Sequence, residues 1–392
     1  SEVLKLRHAF LDTAAPTDIA ETWKSLVASE RRLEAYRESI PTVMVMEEMP
    51  SPKPTNLLLR GAYDRPGEVV PRAVPGALPP LPAEAPANRL GLAQWLVDPS
   101  NPLTARVAVN RYWQSQFGVG IVKTVEDFGS QGEWPSHPEL LDWLATEFIR
   151  SGWDVKAMQK LIVTSATYRQ SSKVRPELTS RDPENRLLAR APRLRLPAEA
   201  IRDSALLASG LLKEKIGGLS VKPYQPPGLW SELGDKDYEP GKGDDLYRRS
   251  LYTFWKRTAP PPFMSNFDSA LREACTVRET RTNTPLQALN LMNDVTFLEA
   301  SKMLATRVLT AEDKLGLLYQ LVLSREPAES ERALLTQSIA RYRDHFQSKP
   351  QEAFKLLSQG ASSVSTNNAS EFAAWTMLAS TVLNLDEAVT RE

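Results

Sequence analysis

Proline sets the first limit on how this chain folds. Between residues 50 and 86 it carries Pro66, Gly67, Pro71, Pro75, Gly76, Pro79, Pro80, Pro82 and Pro86. A proline lacks the backbone N–H and clashes with the preceding helical turn, so no regular helix passes through this stretch. It reads as a linker, or as a strap lying on the surface of another unit. Ahead of it, residues 18–39 place Ile19, Trp23, Leu26, Val27, Leu33 and Tyr36 at helical spacing, with charge on the opposite face. Residues 42–46 and 57–59 have strand composition.

Beyond the prolines, helical periodicity dominates. With 392 residues the chain exceeds one ordinary core and implies two or three packed subdomains. Helices are predicted over 89–97, 104–117, 137–150, 154–165, 199–212 and 284–308, with further ones starting near 311, 328, 351 and 370. Start signals accompany several of them. Ser136 and Glu139 have capping-box spacing, Asp154 caps the next helix, and Thr284 precedes Pro285 and Gln287. Thr310 and Asp313 repeat the pattern. Gly217-Gly218 is read as the stop after 199–212 and the start of an irregular loop over 217–243. Residues 250–254 have strand composition, closed by Pro260, Pro261 and Pro262. The expected fold is mainly α: a multi-helix core with a few short β-strands and long Pro/Gly-rich surface straps. Expected boundaries are 1–49, 50–87 and 88–392, the last subdivided at 88–215, 216–284 and 285–392.

Composition removes several function classes. Lys+Arg and Asp+Glu are both 48, so there is no basic excess of the kind a dedicated nucleic-acid binder shows. The single cysteine, Cys275, excludes an intrachain disulfide and a Cys-x-x-Cys-His haem attachment. Free cysteine is among the most buried residue types, and Cys275 is expected to pack inertly in a core. No apolar run approaches the roughly 18 residues that span a bilayer. Neither a G-x-S-x-G elbow nor a phosphate-loop or dinucleotide fingerprint occurs. A helical pattern already running at Leu4 to Phe10 suggests that the sequence was cut from a longer protein.

Two segments carry candidate chemistry. In the loop before residue 138, Asp127, Glu133 and His137 precede Glu139 and Asp142. A histidine in a first helical turn has its protonated form disfavoured by the helix dipole, which leaves a neutral base or ligand. The spacing matches no established metal site, and none is expected. The structural alternative is that these groups cap the helix and anchor the loop. The second segment, residues 247–285, holds Arg248, Arg249, Lys256, Arg257, Arg272, Arg278 and Arg281 against Asp268, Glu273 and Glu279. Tyr247, Tyr252, Phe254, Trp255, Phe263 and Phe267 interleave with them. Guanidinium forks bind sulfate, phosphate and carboxylate bidentately, and aromatic faces stack on sugars. Arg248, Arg249, Trp255, Arg257, Arg272, Arg278 and Arg281 are the expected ligand-binding set; bracing of internal carboxylates is the alternative. Trp113, Trp134, Trp143, Trp153 and Trp230 are further candidates for a sugar platform. A catalytic reading needs two carboxylates flanking a sugar, with Asp127, Glu133 and Asp268 as candidates.

Several runs together resemble one family. They are Asn88-Arg89-Leu90-Gly91-Leu92-Ala93-Gln94-Trp95-Leu96, Asn101-Pro102-Leu103-Thr104-Ala105-Arg106-Val107 and Asn110-Arg111-Tyr112-Trp113. Glu126-Asp127-Phe128-Gly129, Gly132-Glu133, residues 136–143, Tyr168-Arg169-Gln170-Ser171, Ile201-Arg202-Asp203 and residues 282–289 continue the match. From residue 88 onward the chain resembles the planctomycete-specific C-terminal domain, domain of unknown function fifteen-fifty-three. Residues before 88 resemble the tail of its usual partner domain. The resemblance implies an exported, extracytoplasmic surface protein and an upstream cytochrome c domain, where any haem would lie. This chain itself is expected to hold no cofactor. The function expected is that of an accessory module binding an anionic or sulfated polysaccharide or a partner protein. The alternatives are a glycan-active enzyme using paired carboxylates and a docking module for the cytochrome c domain.

Overall fold

A computed structural model describes residues 2–231, 237–278 and 280–391. The chain divides into two compact units, Ser1–Trp95 and Leu96–Glu392. Sixteen helices and two small two-stranded sheets among the described residues make the fold mainly α, as the periodicity implies.

In the first unit, α1 (Glu2–Thr13) packs on α2 (Thr17–Ser39). The His8 ring lies 5.0 Å from Trp23, whose Nε1 donates to Asp12 at 2.7 Å. Neither helix buries a residue, so the apolar series Ile19, Leu26 and Leu33 stands on the surface. The strand expected over 42–46 does not form; those residues have no ladder partner, and Met44 is fully exposed. A lone extended segment leaves its backbone groups to water and gains no packing. The proline-dense stretch instead contains a hairpin of β1 (Thr55–Leu58) and β2 (Pro66–Val70), with Thr55 opposite Val70 and Asn56 opposite Val69. Pro66 sits at the first position of its strand, where a missing N–H is tolerated. An irregular strap follows and ends at Asn88, whose Oδ1 accepts from the amides of Leu90 and Gly91 at the start of α3 (Arg89–Leu96). A Cβ at Gly91 would lie 1.9 Å from the Pro86 carbonyl oxygen, so the strap's approach requires glycine here.

The second unit holds three cores. The first joins α4 (Thr104–Phe117), α5 (Pro138–Arg150) and α6 (Val155–Thr164) around Val109, Trp113, Leu144, Phe148 and Ile162. Trp113 stacks on Phe117 with centroids 4.1 Å apart. Asp154 caps α6 as expected, accepting from the Ala157 amide at 3.0 Å. The capping box at α5 does not form. His137 takes the cap position, and Ser136 turns its hydroxyl to the Ile121 carbonyl. A short helix α7 (Pro176–Arg181) and strand β3 (Leu194–Arg195) lead to α8 (Ala198–Ser209). The stop for α8 is Gly210, in the left-handed region at φ 80°, rather than Gly217-Gly218. The expected strand over 250–254 is a 3-10 turn, Ser250–Tyr252, because the Ser250 amide donates to Asp203 instead of to a neighbouring strand.

The largest core surrounds α11 (Val295–Leu309) and α15 (Ala369–Leu383). Packed on them are α8, α9 (Pro262–Asn266), α10 (Pro285–Asn293), α12 (Lys314–Leu323), α13 (Glu329–Ser348) and α14 (Pro350–Leu357). Ala300, Ala305, Ala373, Ala374 and Ala379 are essentially fully buried, and these small residues let the helix backbones approach closely. Buried Phe297, Leu304, Leu318 and Leu378 fill the space around them, each worth about 1.5–3 kcal/mol against exposure. The single helix expected over 284–308 is two. Asp294 breaks it by accepting from the Thr296 amide at 2.8 Å and starting α11 afresh. Thr284 makes no side-chain cap, and Gln287, fully buried, donates to the Asn266 carbonyl instead. Asp313 caps α12 through the Gly316 amide. A short α16 (Asp386–Val389) runs into β4 (Thr390–Arg391), which pairs antiparallel with β3 and brings the end of the chain beside its middle.

A small third core, with Leu206, Leu211, Leu246 and Tyr247, lies beside the large one.

Candidate functional site

The second unit carries an open groove of about 740 Å³. One wall is the end of α4, which stops at Gly118 (φ 80°); a Cβ there would lie 2.5 Å from the Leu194 side chain. The loop that follows is pinned from below. Asn110, fully buried, donates through Nδ2 to the Val122 carbonyl at 3.0 Å, and its Oδ1 accepts from the Val122 amide at 2.9 Å. The opposite wall is the segment after α7. There the Asp182 carboxylate accepts from the amides of Arg186 and Leu187 at 2.8 and 2.7 Å. Arg186 then crosses to the first wall, donating to the carbonyls of Gly120 at 2.9 Å and Ile121 at 3.1 Å. Arg190 donates to the carbonyls of Asp182 and Pro183 at 3.3 and 3.0 Å. Thr276, Val277 and Arg281 supply a third side.

Charge is the groove's distinguishing feature. Five arginines line it, Arg111, Arg186, Arg190, Arg193 and Arg281, and among the described lining residues the one carboxylate is Glu184. Glu184 is ion-paired with Lys123 at 2.9 Å, and that ammonium holds its carboxyl below the usual range. Arg193 pairs with Asp386. Arg186 and Arg190 are fixed by neutral carbonyls, so their orientation is set while their charge is not cancelled. Arg111 is exposed on α4 and makes no hydrogen bond or ion pair among the described residues. Oriented guanidinium groups without matching carboxylates suit a sulfate, phosphate or carboxylate ligand.

The two candidate segments read from the sequence meet at this groove. Ser136 and Arg281 both line it, and Arg278 ties the segment 276–281 to the first loop through Glu126 at 3.8 Å. Most predicted site residues serve other ends. Asp127 closes a turn by accepting from the Gly129 amide at 2.7 Å. Glu133 is exposed beside it, with its amide donating to Thr124 Oγ1. His137 lies with Nδ1 3.0 Å from Ser136 Oγ. Asp268, at φ 60°, accepts from the amide and hydroxyl of Thr282 at 2.6 and 2.7 Å. None of these four lines the groove.

Of the predicted ligand-binding set, Arg281 alone does. Arg248 is the clear correction: it is 3% exposed, donates to the carbonyls of Lys215, Gly217 and Leu219, and stacks 3.8 Å from the Tyr252 ring centroid. Arg249 reaches Asp203 at 3.7 Å and Arg257 reaches Glu273 at 3.9 Å, both from exposed positions. Trp255 packs half-buried against the large core with Arg272 over its ring at 4.5 Å. Tyr247, Phe263 and Phe267 are core residues. Glu279 lies outside the described residues. Cys275, expected in a core, is exposed beside Thr276. Trp134 and Trp143 stand exposed, whereas Trp113 and Trp230 are buried. What the sequence reading missed is the second wall. Its signal was the run from Arg186 through Arg190 and Arg193 to Arg195, which contains no acidic residue.

Among the described residues no cluster of three or more His, Cys, Asp or Glu side chains is arranged to hold a metal ion, and no helix is long and apolar enough to cross a membrane. No curated protein and no solved structure matches the chain. The family model PSD1, protein of unknown function (DUF1553), matches residues 88–339, well over half of the chain. That span contains every wall of the groove, and on it the chain belongs to the DUF1553 family.

Proposed function

We propose that this chain is an accessory ligand-binding module of an exported, extracytoplasmic surface protein, and that its groove takes an anionic polysaccharide, sulfated or uronic. The observation that supports this is the groove's charge: Arg111, Arg186 and Arg190 meet no carboxylate, and the one described lining acid, Glu184, is already paired with Lys123. An open groove of about 740 Å³ accommodates a few residues of an extended polymer. The exported setting rests on the family resemblance. Nothing in the groove favours paired-carboxylate chemistry: its one described acid is ion-paired, and Asp127, Glu133 and Asp268 lie outside it.

Dextran sulfate against neutral dextran tests this reading. The sulfated polymer raises the melting temperature at low salt, the neutral one does not, and the shift shrinks as salt rises. Arg111→Ala weakens binding about tenfold with the melting temperature of the free protein unchanged, since one charge-assisted fork is worth roughly 1.5 kcal/mol. Equal shifts with both polymers, or none with dextran sulfate at low salt, sink the reading.

A further inference from the structure

A second, smaller cavity, sharing no lining residue with the groove, lies between the loop 223–226, the proline run before α9 and the start of α11. Its volume is about 50 Å³. A water-sized sphere needs about 10–15 Å³ on this measure, so the cavity holds a group of about four non-hydrogen atoms. Its walls are of two kinds. Phe263, Met264 and Phe297 make an apolar floor, with Pro223, Pro261 and Pro262 beside them. Of the polar lining residues, Arg202, Gln225, Thr253 and Asn290 each have a buried atom with no hydrogen-bond partner among the described residues. Those atoms are Arg202 Nε and Asn290 Nδ2, which donate, Gln225 Oε1, which accepts, and Thr253 Oγ1, which does either.

That accumulation is unusual. Arg202 is 3% and Thr253 6% exposed, and a buried polar atom left unpaired is costly. Both terminal nitrogens of Arg202 are engaged: Nη1 donates to the Arg248 carbonyl and Ser250 Oγ, and Nη2 to the Leu246 carbonyl at 2.6 Å. Asn290 likewise uses its Oδ1, which accepts from Asn266. On Arg202 and Asn290 the unpaired groups are therefore remainders on side chains whose other polar atoms are engaged. They stand ready for something that enters. Asp294, the remaining charged lining group, is committed to capping α11. Pro226 is exposed and marks the mouth, with Tyr224 and Gln225 half-buried beside it.

We infer that this cavity is a binding site for the acetamido group of an N-acetylated sugar. The group has four non-hydrogen atoms, matching the volume. Its methyl suits the Phe263, Met264 and Phe297 floor. Its carbonyl accepts from Asn290 Nδ2 or Arg202 Nε, and its N–H donates to Gln225 Oε1. A free hydroxyl-bearing sugar lacks the methyl, and an amino sugar would bring an ammonium toward Arg202; neither matches both kinds of wall. The site is independent of the arginine groove, and its test does not involve that groove.

Saturation-transfer NMR on the full chain, with N-acetylglucosamine, glucose and glucosamine as separate probes, decides the matter. The expected result is transfer strongest at the acetyl methyl of N-acetylglucosamine and absent from the other two sugars. Asn290→Ala and Gln225→Ala each weaken N-acetylglucosamine binding about three- to tenfold, the range for one lost hydrogen bond. Both variants should keep the parent melting temperature, and dextran sulfate binding should be unchanged in them. No transfer from any sugar means the cavity holds water alone and overturns the inference. Equal binding of glucose, or N-acetylglucosamine binding untouched in both variants, overturns it as well.

Discussion

The C-terminal helices and the arginine groove use the same residue type in opposite ways. Among α11 to α16, each of the buried or bridging cations meets an acceptor chosen for it. Arg325 forks onto Glu331 and Glu387 at 2.6–2.8 Å, Arg332 onto Asp313, and Arg343 onto Glu371. Lys302, 1% exposed, donates to the carbonyls of Leu357, Gln359 and Ser362, one turn of helix from buried Glu299. In the groove, Arg186 and Arg190 meet carbonyls that orient them, and Arg111 meets nothing. A cation closed by a carboxylate is committed to the fold. A cation buried among carbonyls, like Lys302, is committed as well; one fixed by carbonyls at an open groove and not neutralised, like Arg186 or Arg190, is left with charge for a ligand, while Arg193, paired with Asp386, follows the other rule there.

The comparison breaks hardest at Lys302. Its ammonium and the Glu299 carboxylate hold the loop 357–362 from both sides: Glu299 Oε1 accepts from Tyr247 Oη at 2.8 Å and from the Ser362 amide at 2.6 Å. Gly360, at φ 77°, lies so close that a Cβ would sit 2.4 Å from Glu299 Cδ. Lys302→Met should lower stability by about 3 kcal/mol in urea unfolding, because it strands three carbonyls and removes the positive charge that offsets buried Glu299 one helical turn away. Adding Glu299→Gln should recover part of the loss. A single variant as stable as the parent would mean that the buried ammonium contributes nothing beyond packing.

Arg248 sharpens the same contrast inside the segment that looked most like a ligand surface. Its guanidinium is consumed by three carbonyls, so Arg248→Ala should cost about 1.5–3 kcal/mol. Arg257, with 76% of its side chain exposed, should change stability by no more than about 0.5 kcal/mol when replaced by alanine. Matching effects for the two would erase the distinction between structural and available arginine.

Arg248 and Arg257 also show where the sequence stops being informative. Both are arginines in one basic, aromatic-rich stretch, and nothing local tells them apart. The difference is made by Leu219, Gly217 and Lys215, some thirty residues away, which fold back to present carbonyls to one and not the other. Helix existence was legible because it depends on periodicity within a turn or two, as at α4, α6 and α15. Helix ends were less so: Asp154 caps α6 as its spacing suggests, but Ser136 gives its hydroxyl to Ile121, a choice fixed by the loop's path over Asn110. The groove was half legible. Arg281 lay in the marked segment, while its partners Arg186 and Arg190 come from a stretch with no motif, brought across by the Asp182 turn.

The smallest expected effect concerns pH and the carboxylate-closed side of the comparison. Arg325 and the Ala328 amide hold the Glu331 carboxyl down to about 2, from an ordinary 4.5. A carboxyl whose folded value is depressed contributes stability that is complete above its unfolded value and is lost as pH falls through the folded one. The window is therefore about pH 4.5 down to about pH 2. Because the pair is partly exposed, at 38% and 30% for the two side chains, the contribution is well discounted, to less than about 1 kcal/mol. Urea unfolding at pH 7 should show Glu331→Gln slightly less stable than the parent, and the gap should close as the pH approaches 2. A gap between parent and variant that stays constant to pH 2 would show that Glu331 stabilises through its bond to the Ala328 amide and not through its charge.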